Sequence, residues 1–582
     1  MRRRWRSRAH RAIDDDKLGP RQIAILDVPP PQRKQDDRLL RSPPSPRLSA
    51  EGRHFDAWRG AVRPSIRAAP YDDVVYFVDG LERMRVFFDQ GLHGLAANLI
   101  AVPPHAPYST LAAMLAFLLG GASAAGPYFV NAIVMAFLAA VLFRLFRVGG
   151  LTTWCLALLI ISLPWFDSAV TIFHPDLVAG FAVAIMAVAF IWQDEIIETR
   201  RCALLIGVGA GSILLIKPTA FGMVVGLWGV SFLVGAFISY HRARSFPVIR
   251  TLYLAVPILI IAGPYFAHEL PGIVAYIHQG WVREYETWVP DLLHLDKMFY
   301  IKLARSIFEY WFWVAVIGPP ALLVASALCR DSTNSMRFAG LIVITLTAYI
   351  VPTSVEFKHY HWGGIFYGCI AVCLILTLHY IADRCHLSIV RQPVQPFGFS
   401  FRVPQIPQLI LLAVAGLALA DAGDKQGRFP PVVQRAALAE YDAVYDILRG
   451  IARQEFINNA GNVPPLMVYA PCPAPVAPHA YRFRGLLEGL DIQVNTSPHD
   501  KDLAALLDVA SRAGILVLPD DDALKFIYPY PVNKVIPAMR TWLADSKRFT
   551  KMGIVRTSLG TAEIFVNASL ITTAAADAAQ GL

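Results

Sequence analysis

Charge is scarce in this chain. Asp, Glu, Lys and Arg make up 17% of its 582 residues, against 55% for apolar types. The formal excess of +9 sits at one end: residues 1–70 hold 17 Lys/Arg and 8 Asp/Glu, and the remainder balances to zero. A body without net charge offers no basic face, so no nucleic-acid partner is expected. The first 70 residues also lack an apolar core, which excludes a secretory signal and a membrane helix there. Runs such as Pro29-Pro30-Pro31 and Ser42-Pro43-Pro44-Ser45-Pro46 leave no apolar period, and the stretch reads as a disordered basic tail.

Cysteine is sparse as well, with seven in all. Cys155, Cys202, Cys329, Cys369, Cys373 and Cys385 lie in or beside apolar runs. Only Cys472 falls in residues 421–582, so that region cannot close an internal disulfide. Cys369 and Cys373, one helical turn apart, read as small packing residues. His359 and His361 at i, i+2 match no zinc spacing, and no metal site is expected. Gly485, Gly489 and Gly514 do not make a dinucleotide fingerprint. No cofactor is therefore expected, although a divalent cation is compatible with phosphate chemistry.

What the chain has in quantity is long apolar runs. Ten runs are candidates for membrane spans: about 127–147, 151–166, 176–193, 202–217, 219–239, 247–266, 306–329, 337–353, 363–382 and 404–420. The class is a polytopic α-helical membrane protein. Arg144 and Arg147, Arg200 and Arg201, Arg242, Arg244 and Arg250, Arg330 and Arg337, and Arg384 and Arg391 occupy alternate loops, which the positive-inside rule makes cytoplasmic. The other loops then lie outside the cytoplasm. They carry Asp167, His174 and Asp176, then Lys217, then 267–305, then Glu356–His361.

Residues 421–582 change regime. Leu466–Ala470, Asp491–Val494 and Gly514–Leu518 read as short strands, and Asp502–Ala513 and Val535–Leu543 as helices. Phe549–Arg556 and Ala562–Val566 read as a hairpin. This is a small α/β domain, expected on the extracytoplasmic side. The organisation is thus a tail at 1–70, an acidic loop with interfacial helices at 71–121, a multi-helix membrane domain at 122–420, and the α/β domain at 421–582.

The junction at Tyr71–Gly121 joins the two kinds of surface. Its first part is acidic and aromatic: Tyr71, Asp72, Asp73, Tyr76 and Asp79. Leu81–Leu99 has the spacing of an interfacial helix. Pro103, Pro104 and Pro107 then open an apolar helix over Tyr108–Leu119 that closes on Gly120-Gly121 and is too short for a full crossing. On spacing alone, a solvated loop entering a first helix explains the acids as well as catalysis does.

In order and topology this stretch resembles the first extracytoplasmic loop of GT-C glycosyltransferases, in particular bacterial members related to protein O-mannosyltransferases and aminoarabinose transferases. The resemblance extends loosely from Tyr71 to about Ala420. It implies that Asp72 or Asp73 is the catalytic or substrate-activating acid, and that a sugar passes from a polyprenyl-phosphate donor to a lipid, glycan or protein acceptor. It also implies a membrane helix before the acidic loop; none is read here, which points either to a wrong start or reading frame, the favoured explanation, or to a divergent member.

Such a transfer needs a carboxylate at the acceptor and cations at the departing phosphate. Lys217, in Leu-Leu-Ile-Lys-Pro-Thr at the end of an apolar run, is the leading cation. The alternative is a lysine that merely snorkels to the interface. Arg83, Arg85, Arg283 and Lys358 are further candidates, with Tyr360 beside the last. Asp176 caps a helix most simply and is otherwise a site acid. The loop containing Tyr276, Trp281, Arg283, Glu284 and Trp288 is either an interfacial aromatic belt or a wall of the site. A lipid-linked glycan transporter or flippase, or a non-catalytic protein of the same fold, competes with the enzyme.

Overall fold

The computed structural model describes residues 71–104, 106–121, 125–148, 150–171, 173–243, 248–278, 296–355, 360–389, 416, 444–453, 466–472, 478–498, 500–526, 530–557 and 560–568. The basic tail, the expected span 404–420 (apart from Gly416), Arg283 and Lys358 lie outside them. The side chains of Asp72 and Tyr360 do too.

The acidic stretch is not a loop. It is the beginning of a helix, α1 (Tyr71–Ala101), whose Val74, Phe77, Leu81 and Met84 are buried. The i, i+3 and i+4 spacing of those residues explains the helix. Gly91, at φ 67°, breaks it, which only glycine does cheaply. Helix α2 (Pro107–Gly120) follows, with proline in its first turn and Gly121 at φ 70° past its end. It is short, as its sequence requires.

The membrane body runs through α3 (Ala125–Leu145), α4 (Gly150–Ser162), α5 (Pro164–Thr171), α6 (Pro175–Ile191), α7 (Gln193–Ile196), α8 (Arg200–Leu214), α9 (Phe221–Ala243), α10 (Val248–His278), α11 (Phe299–Phe308), α12 (Trp311–Leu328), α13 (Ser332–Ser354) and α14 (Gly364–Ile389). Among the described residues, six helices are long and apolar enough to cross a membrane, or seven if the bent pair α4–α5 is one span. The protein is an integral, multi-pass membrane protein. The expected span 151–166 is bent by 71° between Ser162 and Pro164, because Pro164 cannot continue the hydrogen-bond ladder. The runs at 176–193 and 202–217 give helices of 17 and 15 residues.

The short α6 is central. Every residue of it except Asp176 is buried, as an apolar surface all the way round demands. It touches α14 backbone to backbone: a Cβ on Gly180 would stand 2.0 Å from the Gly364 carbonyl oxygen, and one on Gly368 2.1 Å from that of Gly180. That contact holds Asp176 rigidly at one end of α6. At the other end, about 25 Å away for 17 residues at 1.5 Å each, the chain turns through Trp192 into Asp194 and Glu195.

The C-terminal domain has strands β1 (Leu466–Tyr469), β2 (Ile492–Asn495), β3 (Ile515–Pro519), β4 (Phe549–Thr557) and β5 (Gly560–Asn567) in the order β2-β1-β3-β5-β4. The first three are parallel, and β4 and β5 form the expected antiparallel hairpin. Helices α15 (Pro478–Glu488) and α16 (Leu503–Arg512) make the crossovers, and α17 (Asp521–Phe526) and α18 (Ile536–Asp545) follow. Strand β3 is buried throughout, which explains its unbroken apolar run.

Asp520 caps α17. Its carboxylate accepts from the Ala523 amide at 2.6 Å and the Thr561 amide at 3.4 Å. Burial works against its ionised form, but those amides and Arg540 outweigh burial and hold it below the usual carboxylate range. A lowered pKa stabilises the fold above the unfolded value and is lost as pH falls through the folded one. Asp520→Ala is therefore expected to cost about 1–2 kcal/mol at neutral pH. Thermal unfolding at stepped pH should show the gap to wild type closing as pH drops through the acid range. A gap independent of pH would mean that Asp520 acts through packing.

Candidate active site

Three segments far apart in sequence meet at the Asp176 end of α6. The first is α1. Asp73 is fully buried there, and the Tyr128 hydroxyl, from the first turn of α3, donates to its Oδ2 at 2.7 Å. One turn on, the Tyr76 ring stands edge-on to His174, centroids 6.1 Å apart. The second segment is His174-Pro175-Asp176. His174 occupies the N-cap position of α6 but makes no capping bond, and its Nδ1 instead meets the Asp176 carboxylate. The third is Lys217, at the break between α8 and α9, where Pro218 ends the run. Its Nζ lies 3.1 Å from Asp176 Oδ2.

The Asp176–Lys217 pair is partly sheltered, with side-chain exposures of 11% and 18%. Lys217 is therefore not a snorkelling lysine. It is fixed by a carboxylate that is itself fixed by α6, and an ion pair at this depth is far less screened than one in water. Phe77, Tyr128 and Phe173 pack ring on ring between the Asp73 and His174 sides, with centroids 5.3 to 6.2 Å apart. The site has an aromatic wall, one buried acid, and one cation paired with a carboxylate that a histidine also meets.

Arg83 and Arg85 fall elsewhere. Arg83 is buried and points into the protein. It reaches Asp79 at 3.3 Å and donates to the carbonyl oxygens of Asn98 and Val102 at 3.1 and 2.5 Å. These bonds tie down the chain after the Gly91 break. Arg85 is exposed beside Asp89, 3.7 Å away. Tyr360 belongs to a short turn, Tyr360–Gly363, whose backbone packs against α6.

Sequence reading missed two contacts. Tyr128 as the partner of Asp73 carries no motif. The C-terminal domain rests on α1 through Arg482, which donates to Glu82, and through Phe483, whose ring lies 5.7 Å from Phe77 and 5.9 Å from Phe117. Four hundred residues separate Glu82 from Arg482, so no local pattern signals the pair.

No family model and no curated protein sequence matches this chain. Two solved structures do, both of ArnT from Cupriavidus metallidurans. The apo structure is 14% identical, with a TM-score of 0.49 over 89% of this chain and 98% of that one. The structure bound to undecaprenyl phosphate is 13% identical, with a TM-score of 0.51 over 90% of this chain and all of that one. At this identity the likeness is one of fold. The chain is a multi-pass membrane protein with a GT-C-like fold and a small C-terminal α/β domain.

Proposed function

We propose that the protein is a membrane glycosyltransferase that moves a sugar from a polyprenyl-phosphate-linked donor to a lipid, glycan or protein acceptor. The observation that carries this reading is the fixed Lys217–Asp176 pair beside the acidic start of α1, at one end of a GT-C-like helix bundle. ArnT, with which it shares that fold, binds undecaprenyl phosphate. In this reading Lys217 holds the donor phosphate, before and after the sugar leaves, and Asp176 and His174 set the position of its ammonium group. Arg283, Lys358 and Tyr360 come from loops that the arginine pattern puts on the same side, and are the remaining phosphate contacts. Arg83 and Arg85 drop out, one because its bonds are spent inside the protein and the other because it stands apart.

The two acids divide the work. Asp73 has no exposed surface and is held by Tyr128, so it meets an acceptor only if α1 moves. We assign it the positioning of α1. Asp72 is then the base that takes the acceptor proton as the bond to the sugar carbon forms. The phosphate leaves with the electrons of the broken glycosidic bond, and Lys217 stabilises that charge.

Two measurements test this. Undecaprenyl phosphate should raise the melting temperature of the purified full chain, and Lys217→Gln should remove most of that shift; equal shifts in both would separate the lysine from the donor. The second concerns sidedness. Cys329 is exposed next to Arg330, at the end opposite Asp176, where Arg337 of the following helix pairs with Asp194. In intact cells it should resist a membrane-impermeant maleimide and react once the membrane is opened. A cysteine placed at exposed Asp508 in the C-terminal domain should behave the opposite way. Labelling of Cys329 in intact cells would invert the topology and put the site on the cytoplasmic side.

A further inference from the structure

At the far end of α6 there is a second polar site. A cleft of about 750 Å³ opens between the α6–α8 corner and the facing ends of α9 and α10. Part of its charge is already paired. Asp194 is taken by Arg337, at 2.7 and 2.9 Å, and by Arg242 at 2.9 Å; Glu195 is taken by Arg337 at 2.8 Å. Two further lining residues have no ion-pair partner among the described residues: Glu198 and Arg250. Arg250 makes only a long contact, 3.4 Å, to the Ile197 carbonyl oxygen. Beneath them Ser239, 7% exposed, lines the cleft with a hydroxyl that has no hydrogen-bond partner among the described residues. A buried hydroxyl is costly to leave unsatisfied, so the cleft suits a polar ligand or water.

Among the described residues the cleft thus offers one cation and one anion without an ion-pair partner, which suits a ligand that carries both charges. A simple anion would meet Glu198 and Glu195, and a simple cation would meet Arg250 and Arg242. The rim decides the source. Val248 and Ile249, each 57% exposed, begin α10, which continues as a membrane-length helix. A headgroup in the cleft would therefore leave its tails against lipid-facing apolar surface. We propose that the cleft seats the headgroup of a zwitterionic phospholipid of the ethanolamine type. Its phosphate lies against Arg250 and Arg242, and its ammonium against Glu198 and Glu195. The site lies about 25 Å from the Asp176–Lys217 pair and is independent of the transferase reading.

The test uses the full chain, purified and stripped of lipid in detergent. Phosphatidylethanolamine should raise its melting temperature, and native mass spectrometry should show one retained molecule. Phosphatidylglycerol, with the same tails and no ammonium, should be retained about tenfold less. Glu198→Gln and Arg250→Gln should each weaken retention of phosphatidylethanolamine by a similar factor, and Glu198→Gln should erase its preference over phosphatidylglycerol. Free phosphoethanolamine should not shift the melting temperature. If it shifts the protein as far as the lipid does, the occupant is a soluble zwitterion and the lipid assignment fails. Equal retention of the two lipids by wild type overturns the proposal without any variant, and unchanged retention by both variants overturns it as well.

Discussion

Asp72→Asn is expected to lower sugar transfer by about 10²-fold or more with the fold intact, the size of a lost general base. Asn keeps the volume and most of the hydrogen bonding of Asp and removes only the charge, so the loss reports on proton transfer. It should appear in kcat, with the donor KM nearly unchanged. Asp73→Asn should behave differently. The buried side chain still accepts from Tyr128, so turnover should fall by less than about tenfold. Asp73→Ala leaves the Tyr128 hydroxyl without this acceptor and should cost about 1–3 kcal/mol of stability. Tyr128→Phe in the same chain should recover part of that cost, since both halves of the bond are then gone. If both Asn variants transferred sugar at the wild-type rate, the acidic turn would be only the start of a helix. If instead Asp73→Asn carried the 10²-fold loss, the roles of the two acids would be exchanged.

Lys217→Gln is the second large effect. Phosphate charge is present in the bound donor and grows as the sugar leaves, so this variant should raise the donor KM as well as lower kcat. A charge-assisted hydrogen bond to phosphate is worth about 1.5–3 kcal/mol, or about 10- to 10²-fold in kcat/KM. Added donor should restore part of the Lys217→Gln rate and none of the Asp72→Asn rate. Asp176→Asn leaves Lys217 charged but releases it from its anchor. It should weaken turnover less than Lys217→Gln does, and it should destabilise the protein, because it strips the sheltered ammonium of the carboxylate beside it. Equal kinetic effects of Lys217→Gln and Asp176→Asn would mean that the pair is structural.

The class of the protein was legible because membrane helices are written in runs long enough to read without context. So were the central strands of the C-terminal domain, which are short buried runs around Val468 and Val517. Helix α6 was legible as a run, but its central position was not, since that depends on Gly180, Gly364 and Gly368 meeting from opposite parts of the chain. The acids were read as a loop because Asp72, Asp73 and Asp79 look solvated. Buried Phe77, Leu81 and Met84 on the same helix overrode that look and drew Asp73 in against Tyr128. Lys217 and Asp176 were each singled out, yet nothing in either motif says that they touch across 41 positions. Arg83 is the reverse case. A lone arginine next to an acidic turn looks available for phosphate, and the Gly91 break folds the chain back so that carbonyl oxygens consume it.

The central claim is that this site transfers a sugar from a lipid phosphate. Its most direct measurement follows radiolabelled sugar from defined polyprenyl-phosphate donors in proteoliposomes containing the purified chain. The account predicts that label leaves the donor for an acceptor, that free polyprenyl phosphate appears in equal amount, and that Asp72→Asn and Lys217→Gln both suppress it. Donor that crosses the bilayer with its sugar still attached, at the same rate in wild type and both variants, would contradict the account and make the protein a carrier of the lipid-linked sugar.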